Sequence, residues 1–122
     1  MFKKISILIG FGLSTLLLTA CSSMDKQTVT DLASRAQTGI EEAEVMDARQ
    51  YAPVELRSAK MKLEDARAKI ASEQYQQAKL MLEKAMVDAE YARVKTRSEK
   101  AQESAEQIQK NIRTLETQLR DS

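Results

Sequence analysis

Apolar residues along this 122-residue chain fall into two kinds of pattern. The first is a run, Ile5 to Leu18, broken only by Ser6, Gly10, Gly12, Ser14 and Thr15. The second begins after a polar, aperiodic stretch (Ser22 to Thr28) and recurs in steps of three and four, the period of a helix with one buried face. Val29, Leu32, Ala33, Ala36, Ile40 and Ala43 predict a helix over 29–50. Leu56, Ala59, Leu63, Ala66 and Ile70 predict a second over 54–72. Tyr75, Ala78, Leu82, Ala85, Ala89 and Ala92 open a third, which meets no Gly or Pro before Leu119. No segment alternates apolar and polar residues long enough to suggest a strand. Between the first two helices, Tyr51-Ala52-Pro53 is a stop, because proline disfavours helical geometry in the residue before it and lacks an amide proton. Pro53 itself suits the first turn of the next helix. Gly39 costs its helix about 1 kcal/mol relative to Ala and is a place where a neighbour has room to approach.

These stripes predict an all-α fold. The second and third helices should pair as an antiparallel hairpin, and the first should close a small three-helix bundle over residues 29–95. The third helix then changes phase. Val87, Tyr91, Val94, Ser98, Ala101, Ala105, Ile108, Ile112, Leu115 and Leu119 form a different stripe with heptad spacing, strongest from Ile108. A second helix of about 19 residues covers the third only to about residue 95, so residues 96–122 are expected to project as a coiled-coil-like helix for ~37 Å at ~1.5 Å per residue. Ile108, Ile112, Leu115 and Leu119 are therefore the candidate partner-binding seam, for a different helical protein or a second copy. Asp65/Lys69, Glu106/Lys110 and Glu116/Arg120 have the spacing of outer-face ion pairs.

The leader changes the picture more than any helix does. Met1-Phe2-Lys3-Lys4 is a short positive start, Ile5–Leu18 is apolar, and small residues follow; this is the build of a signal peptide over 1–20. A run of about 14 residues is short for crossing a ~30 Å hydrocarbon core. Leu18-Thr19-Ala20-Cys21 resembles the bacterial lipobox. That resemblance implies that the Cys21 thiol takes a diacylglycerol, that cleavage occurs before Cys21 and that the new amine is acylated. Two or more acyl chains give stable anchoring, and residues 21–28 would be the lipidated N-terminus and its tether. Ser22 stands where Asp would suggest inner-membrane retention, so the resemblance implies the periplasmic face of the outer membrane.

A second resemblance lies in the helices. Tyr51-Ala52-Pro53-Val54-Glu55-Leu56, then Ala59, Leu63, Ala66, Tyr75, Ala78, Leu82, Ala85, Asp88-Ala89 and Ala92, resemble the bacterial family called domain of unknown function 4398, over about residues 31–100. The resemblance implies a small envelope lipoprotein or a segment of a periplasmic protein, and it supplies no catalytic residues. Tyr75 with Ala78 also resembles the hairpin turn of a tetratricopeptide repeat. The family often has Gly-Asp before this tyrosine, where this chain has Glu73-Gln74. Glycine favours the left-handed residue of such a turn, so a straight helix from Pro53 to Leu119 stays open as an alternative.

Composition narrows the function. Lys+Arg is 19 and Asp+Glu 18, with no His, and removing Lys3 and Lys4 with the leader turns a net charge of +1 into −1. A nucleic-acid partner would need a basic face. Arg57, Lys60, Lys62, Arg67 and Lys69 could touch anionic lipid heads or peptidoglycan, but Glu55, Glu64 and Asp65 interrupt them. Cys21 is the only cysteine, so no disulfide can form within the chain. Without His or a Gly-rich loop there is little from which to build a catalytic site. Glu41, Glu42 and Glu44 are the densest acidic group, and lack a loop that could converge oxygens on a metal; they read as a solvated face. No metal site and no cofactor beyond the covalent lipid are expected. The expectation is a non-enzymatic, lipid-anchored periplasmic interaction or scaffold module. The alternative is a spacer bracing the outer membrane against peptidoglycan. Because the sequence ends Leu119-Arg120-Asp121-Ser122 rather than in a lysine that could be joined to the wall, such bracing would be non-covalent.

Overall fold

The protein is described by a computed structural model covering residues 25–122. The segment expected to be a signal peptide, with the lipobox residues Leu18, Thr19 and Ala20, and Cys21 lie outside the described residues. Those described form four helices: α1 (Lys26–Val45), α2 (Ala48–Tyr51), α3 (Pro53–Ala71) and α4 (Tyr75–Asp121). None is long and apolar enough to cross a membrane.

Each boundary has a local cause. Asp25 caps α1: its side chain accepts the Thr28 N–H at 2.8 Å, satisfying one of the donors a helix start leaves free. The helix therefore takes in Lys26, Gln27 and Thr28, which their lack of periodicity had placed in the tether. The expected first helix to Gln50 is broken at Asp47, which is left-handed (φ 74°) and donates its N–H to Glu44 O at 3.0 Å. Aspartate tolerates this conformation better than most residues. The break has a packing reason. It turns the chain so that Ala48 and Ala52 are both fully buried, whereas a straight helix would carry them past the end of the bundle. Ala52 (φ −141°, ψ 50°) is held out of the helical region before Pro53, which occupies the first turn of α3.

The α3–α4 turn resolves the choice between hairpin and straight helix. The Gln74 N–H reaches Lys69 O (2.8 Å) and the Glu73 N–H reaches Ile70 O (3.0 Å), the paired bonds of a Schellman ending. Glu73 sits at its left-handed position, φ 60°. The turn thus forms without glycine, because closing the hairpin buries two apolar stripes and outweighs the ~1–2 kcal/mol of a left-handed L-residue.

α3 runs antiparallel to both α1 and α4, so α1 and α4 point the same way. Gln37 and Glu44 of α1 meet Arg67 and Lys60 of α3. Lys69 meets Gln77, and Glu55 meets Lys95, on α4. The core between them is narrow. Ala36, Ala43, Ala59, Ala66, Ala78, Ala85 and Ala92 are fully buried, and Val29, Ile40, Leu56, Leu63 and Leu82 supply most of its volume. Leu32, Ala33, Ile70 and Tyr75 pack around its edge. Thr96 closes the far end, its buried hydroxyl donating to Ala92 O at 2.7 Å. Alanine-lined stripes bring backbones close but bury little area per residue, so the few large side chains carry most of the apolar stabilisation.

Two predictions follow from this core. Leu63→Ala, at a site 2% exposed, should destabilise the bundle by ~2–4 kcal/mol in chemical denaturation; a loss under about 1 kcal/mol would mean the site is loosely packed. Gly39→Ala should have the opposite sign. A Cβ there would lie 3.7 Å from Ala89 Cβ, an ordinary contact, so close approach does not require this glycine, and the alanine should raise stability by roughly 0.5–1 kcal/mol.

Candidate interaction surface

The described residues hold no group of three potential metal ligands that converge. The acidic cluster of α1 disperses: Glu41 accepts from Gln37, Glu42 pairs with Arg93, and Glu44 pairs with Arg49 and Lys60. An open groove of about 530 Å³ between α1 and α4 is lined by Ser34, Arg35, Thr38, Gly39, Met86 and Arg93 among others; of its charges, Arg93 is committed to Glu90 and Glu42, and only Arg35 forms no ion pair among the described residues. The feature without an internal partner is the back of α4.

α4 has two apolar faces. The buried one comprises Ala78, Leu82, Ala85, Ala89, Ala92 and Thr96. The second begins at Val87, two residues from both Ala85 and Ala89, and residues two apart do not share a helix face. It accordingly points away from the bundle. Val87 is 68% exposed, Tyr91 58% and Val94 47%. The stripe continues past the last buried residue, Thr96, into a segment exposed at every position from 101 to 122. There Ile108 (59%), Ile112 (50%), Leu115 (58%) and Leu119 (78%) all lie open to solvent. The sequence-derived seam therefore exists as a row of exposed side chains on one helix. The seam is longer than those four residues, because Val87, Tyr91 and Val94 are uncovered even where α3 lies alongside.

Side-chain pairs fix α4 against the rest. The α3 contact is edged by Asp88, which accepts from Ser58 (2.6 Å) and pairs with Lys62, and by Lys95–Glu55 at 2.8 Å. Burial pushes the Asp88 carboxyl up, but the hydrogen bonds from Lys62 and Ser58 win and hold it below its ordinary value. The Lys95 hydrogen bond lowers Glu55, and the same bond raises Lys95. Glu44 is lowered by Lys60 first and Arg49 second. A second set lies beyond Thr96, where the α2 corner grips α4. Tyr51 donates to Glu103 Oε2 at 2.6 Å, Asp47 pairs with Lys100, and the Lys100 ammonium lies 5.5 Å from the centre of the Tyr51 ring. The Glu103 carboxylate pushes the Tyr51 phenol up.

Sequence periodicity missed this clasp, since its partners are some fifty positions apart and belong to no stripe; the only signal was the polar Asp47 and aromatic Tyr51 flanking a helix stop. The same-helix pairs expected from spacing also differ. Lys69 bonds Gln77 rather than Asp65. Neither Glu106/Lys110 nor Glu116/Arg120 is among the ion pairs formed; Arg67–Glu64, Lys79–Glu83 and Arg93–Glu90 are. Exposed long side chains gain too little from such pairs for spacing alone to decide which close.

Because among the described residues no tertiary contact holds the chain beyond the clasp, truncation after Ala105 should leave the stability of the bundle unchanged to within about 0.5 kcal/mol. A larger loss would show that the tail contributes to stability, by folding back on the bundle or by association with another molecule.

Comparison with known proteins came out on the side of the helical resemblance. The sequence model of the family described as Domain of unknown function (DUF4398) matches residues 31–108. That span takes in the α2 corner, both turns and the whole bundle from Asp31, and it ends at Ile108, the first of the four seam residues read from the sequence. No curated protein and no solved structure matches the chain.

Proposed function

This chain belongs to the DUF4398 family, and on that premise we propose that it is a non-enzymatic, lipid-anchored interaction module on the periplasmic face of the outer membrane. The observation that carries the reading is the exposed apolar stripe on the back of α4 from Val87 to Leu119. Large aliphatics repeated on one face of a projecting helix are a poor surface for water and a good one for another helix. Burying Ile108, Ile112, Leu115 and Leu119 would contribute up to ~1.5–3 kcal/mol each, of the same order as the translational and side-chain ordering terms that oppose association.

The anchor half of the proposal rests on Leu18-Thr19-Ala20-Cys21. Cys21 stands four residues before the α1 cap, Asp25, so acyl chains on Cys21 would hold the start of α1 at the membrane. α4 starts at that same end and is 47 residues long, about 70 Å of helix at ~1.5 Å per residue. Its seam would then be presented far from the lipid surface. That reach also favours a second reading, a non-covalent spacer between outer membrane and peptidoglycan, in which the helix braces rather than recruits.

Cys21→Ser should block acylation and leave an uncleaved precursor, read by intact mass of the membrane fraction. A mature N-terminus other than Cys21, or a mass without acyl chains, would refute the anchor. For the module itself, Ile112→Asp in intact cells should abolish envelope crosslinks made through the tail; an unchanged crosslink pattern would leave only the bracing role.

A further inference from the structure

We infer that the occupant of the α4 seam is a second copy of this chain, aligned parallel and in register; the inference rests on reading the seam as an association surface and identifies its partner. The stripe from Val87 to Leu119 keeps heptad spacing over 33 residues without a skip, the pattern of a left-handed coiled coil. Counting from Val87, its members occupy the two core positions alternately. Upstream, Lys84 falls on the next core position and ends the repeat.

The flanking positions say what kind of partner fits. In coiled coils the residues beside the core select the partner through charge. From residue 102 onward, those beside this core are Gln102, Ser104, Gln109, Asn111, Glu116 and Gln118. Only one is charged. The charges of this segment, including Glu103, Glu106, Lys110 and Arg113, instead lie on the outer positions, where they cannot discriminate between partners. Upstream, Asp88, Glu90, Lys95 and Arg97 do flank the core, but Asp88, Glu90 and Lys95 are engaged within the chain by Lys62, Arg93 and Glu55, so the free part of the seam carries almost no flanking charge with which to select an oppositely charged partner.

Self-pairing also meets no conflict of its own. In a parallel pair each residue preceding a core turn faces the residue five later on the other chain. Applied here to the part beyond the bundle, Arg97 faces Gln102 of the second copy, Ser104 faces Gln109 and Asn111 faces Glu116; Lys95, opposite Glu90, stays with Glu55 of its own chain. No like charges oppose one another. Side-chain size points the same way. Ser98, Ala101 and Ala105 make a narrow segment, while Ile108 to Leu119 make a wide one. In register, small residues meet small and large meet large, so one helix separation can change smoothly along the pair. An antiparallel pair overlapping over the same length would set the Ile/Leu segment against the Ala/Ser segment and leave gaps. Because the seam lies opposite the bundle-facing side of α4, two copies can join back to back with both bundles outside.

Single substitutions Ala105→Cys, Ile112→Cys and Leu119→Cys in the full-length, membrane-bound chain, followed by mild oxidation, test the pairing. The expected result is an adduct of twice the chain mass at all three positions, and none for Lys110→Cys on the outer face or for the unsubstituted chain. Adding Ile112→Asp should abolish the adduct of Ala105→Cys. Failure at all three positions, or equal yield at Lys110→Cys, overturns self-pairing, and an adduct at 105 without one at 119 overturns the parallel register. A photo-crosslinker at position 112 separates the two levels of the argument. An adduct with a different protein overturns the second copy but keeps the seam as an association surface, whereas no adduct of any mass overturns both.

Discussion

The structure turns on a mismatch of length. α3 has 19 residues and α4 has 47, so an antiparallel hairpin between them can cover less than half of α4. α1, of 20 residues, runs beside the same half. Whatever stabilises the second half of α4 must come from its own backbone, from the clasp at Tyr51 and Lys100, or from another molecule. Isolated helices gain most of their stability from packing one face, and the only unpacked apolar face in this half is the heptad stripe.

The bundle itself works within tight limits. Its core is mostly alanine, which allows close helix approach and adds little apolar area. Stability therefore leans on the few large residues and on the edges, where Lys62–Asp88, Lys95–Glu55 and Lys60–Glu44 bridge between helices. The half-buried acids among these, Asp88 at the centre of the α3–α4 contact above all, have their charged forms favoured by their partners. Such pairs hold register more than they add energy. They give each helix one preferred level against the next, which alanine stripes repeating every turn or two specify poorly.

The two left-handed residues, Asp47 and Glu73, show how this chain makes its corners. Neither is glycine, and both stand where the chain must reverse for apolar residues on either side to meet. At Asp47 the reversal also creates the only grip on α4 beyond the bundle among the described residues: Asp47 takes Lys100, and Tyr51 takes Glu103. The corner thereby sets the point at which α4 leaves the bundle and begins to project.

The sequence by itself determined which residues face inward. Val29, Ala36, Ile40 and Ala43, the Leu56–Ala66 stripe and the Ala78–Ala92 stripe are all buried as their spacing indicates, because helical period is a local property and each stripe carries it over several turns. It determined the stop at Pro53, which depends on one ring and its neighbour, and the heptad on α4. Tertiary structure decided the rest. Whether Glu73 turns or continues a helix depends on two stripes meeting across the hairpin, which no local preference encodes. The break at Asp47 exists because Ala48 and Ala52 find room in the core. Val87, Tyr91 and Val94 have the same spacing whether covered or bare; they are bare because the bundle engages the opposite face of α4. Ion pairing was the least readable of all, since exposed partners differ by less energy than the packing that brings them together.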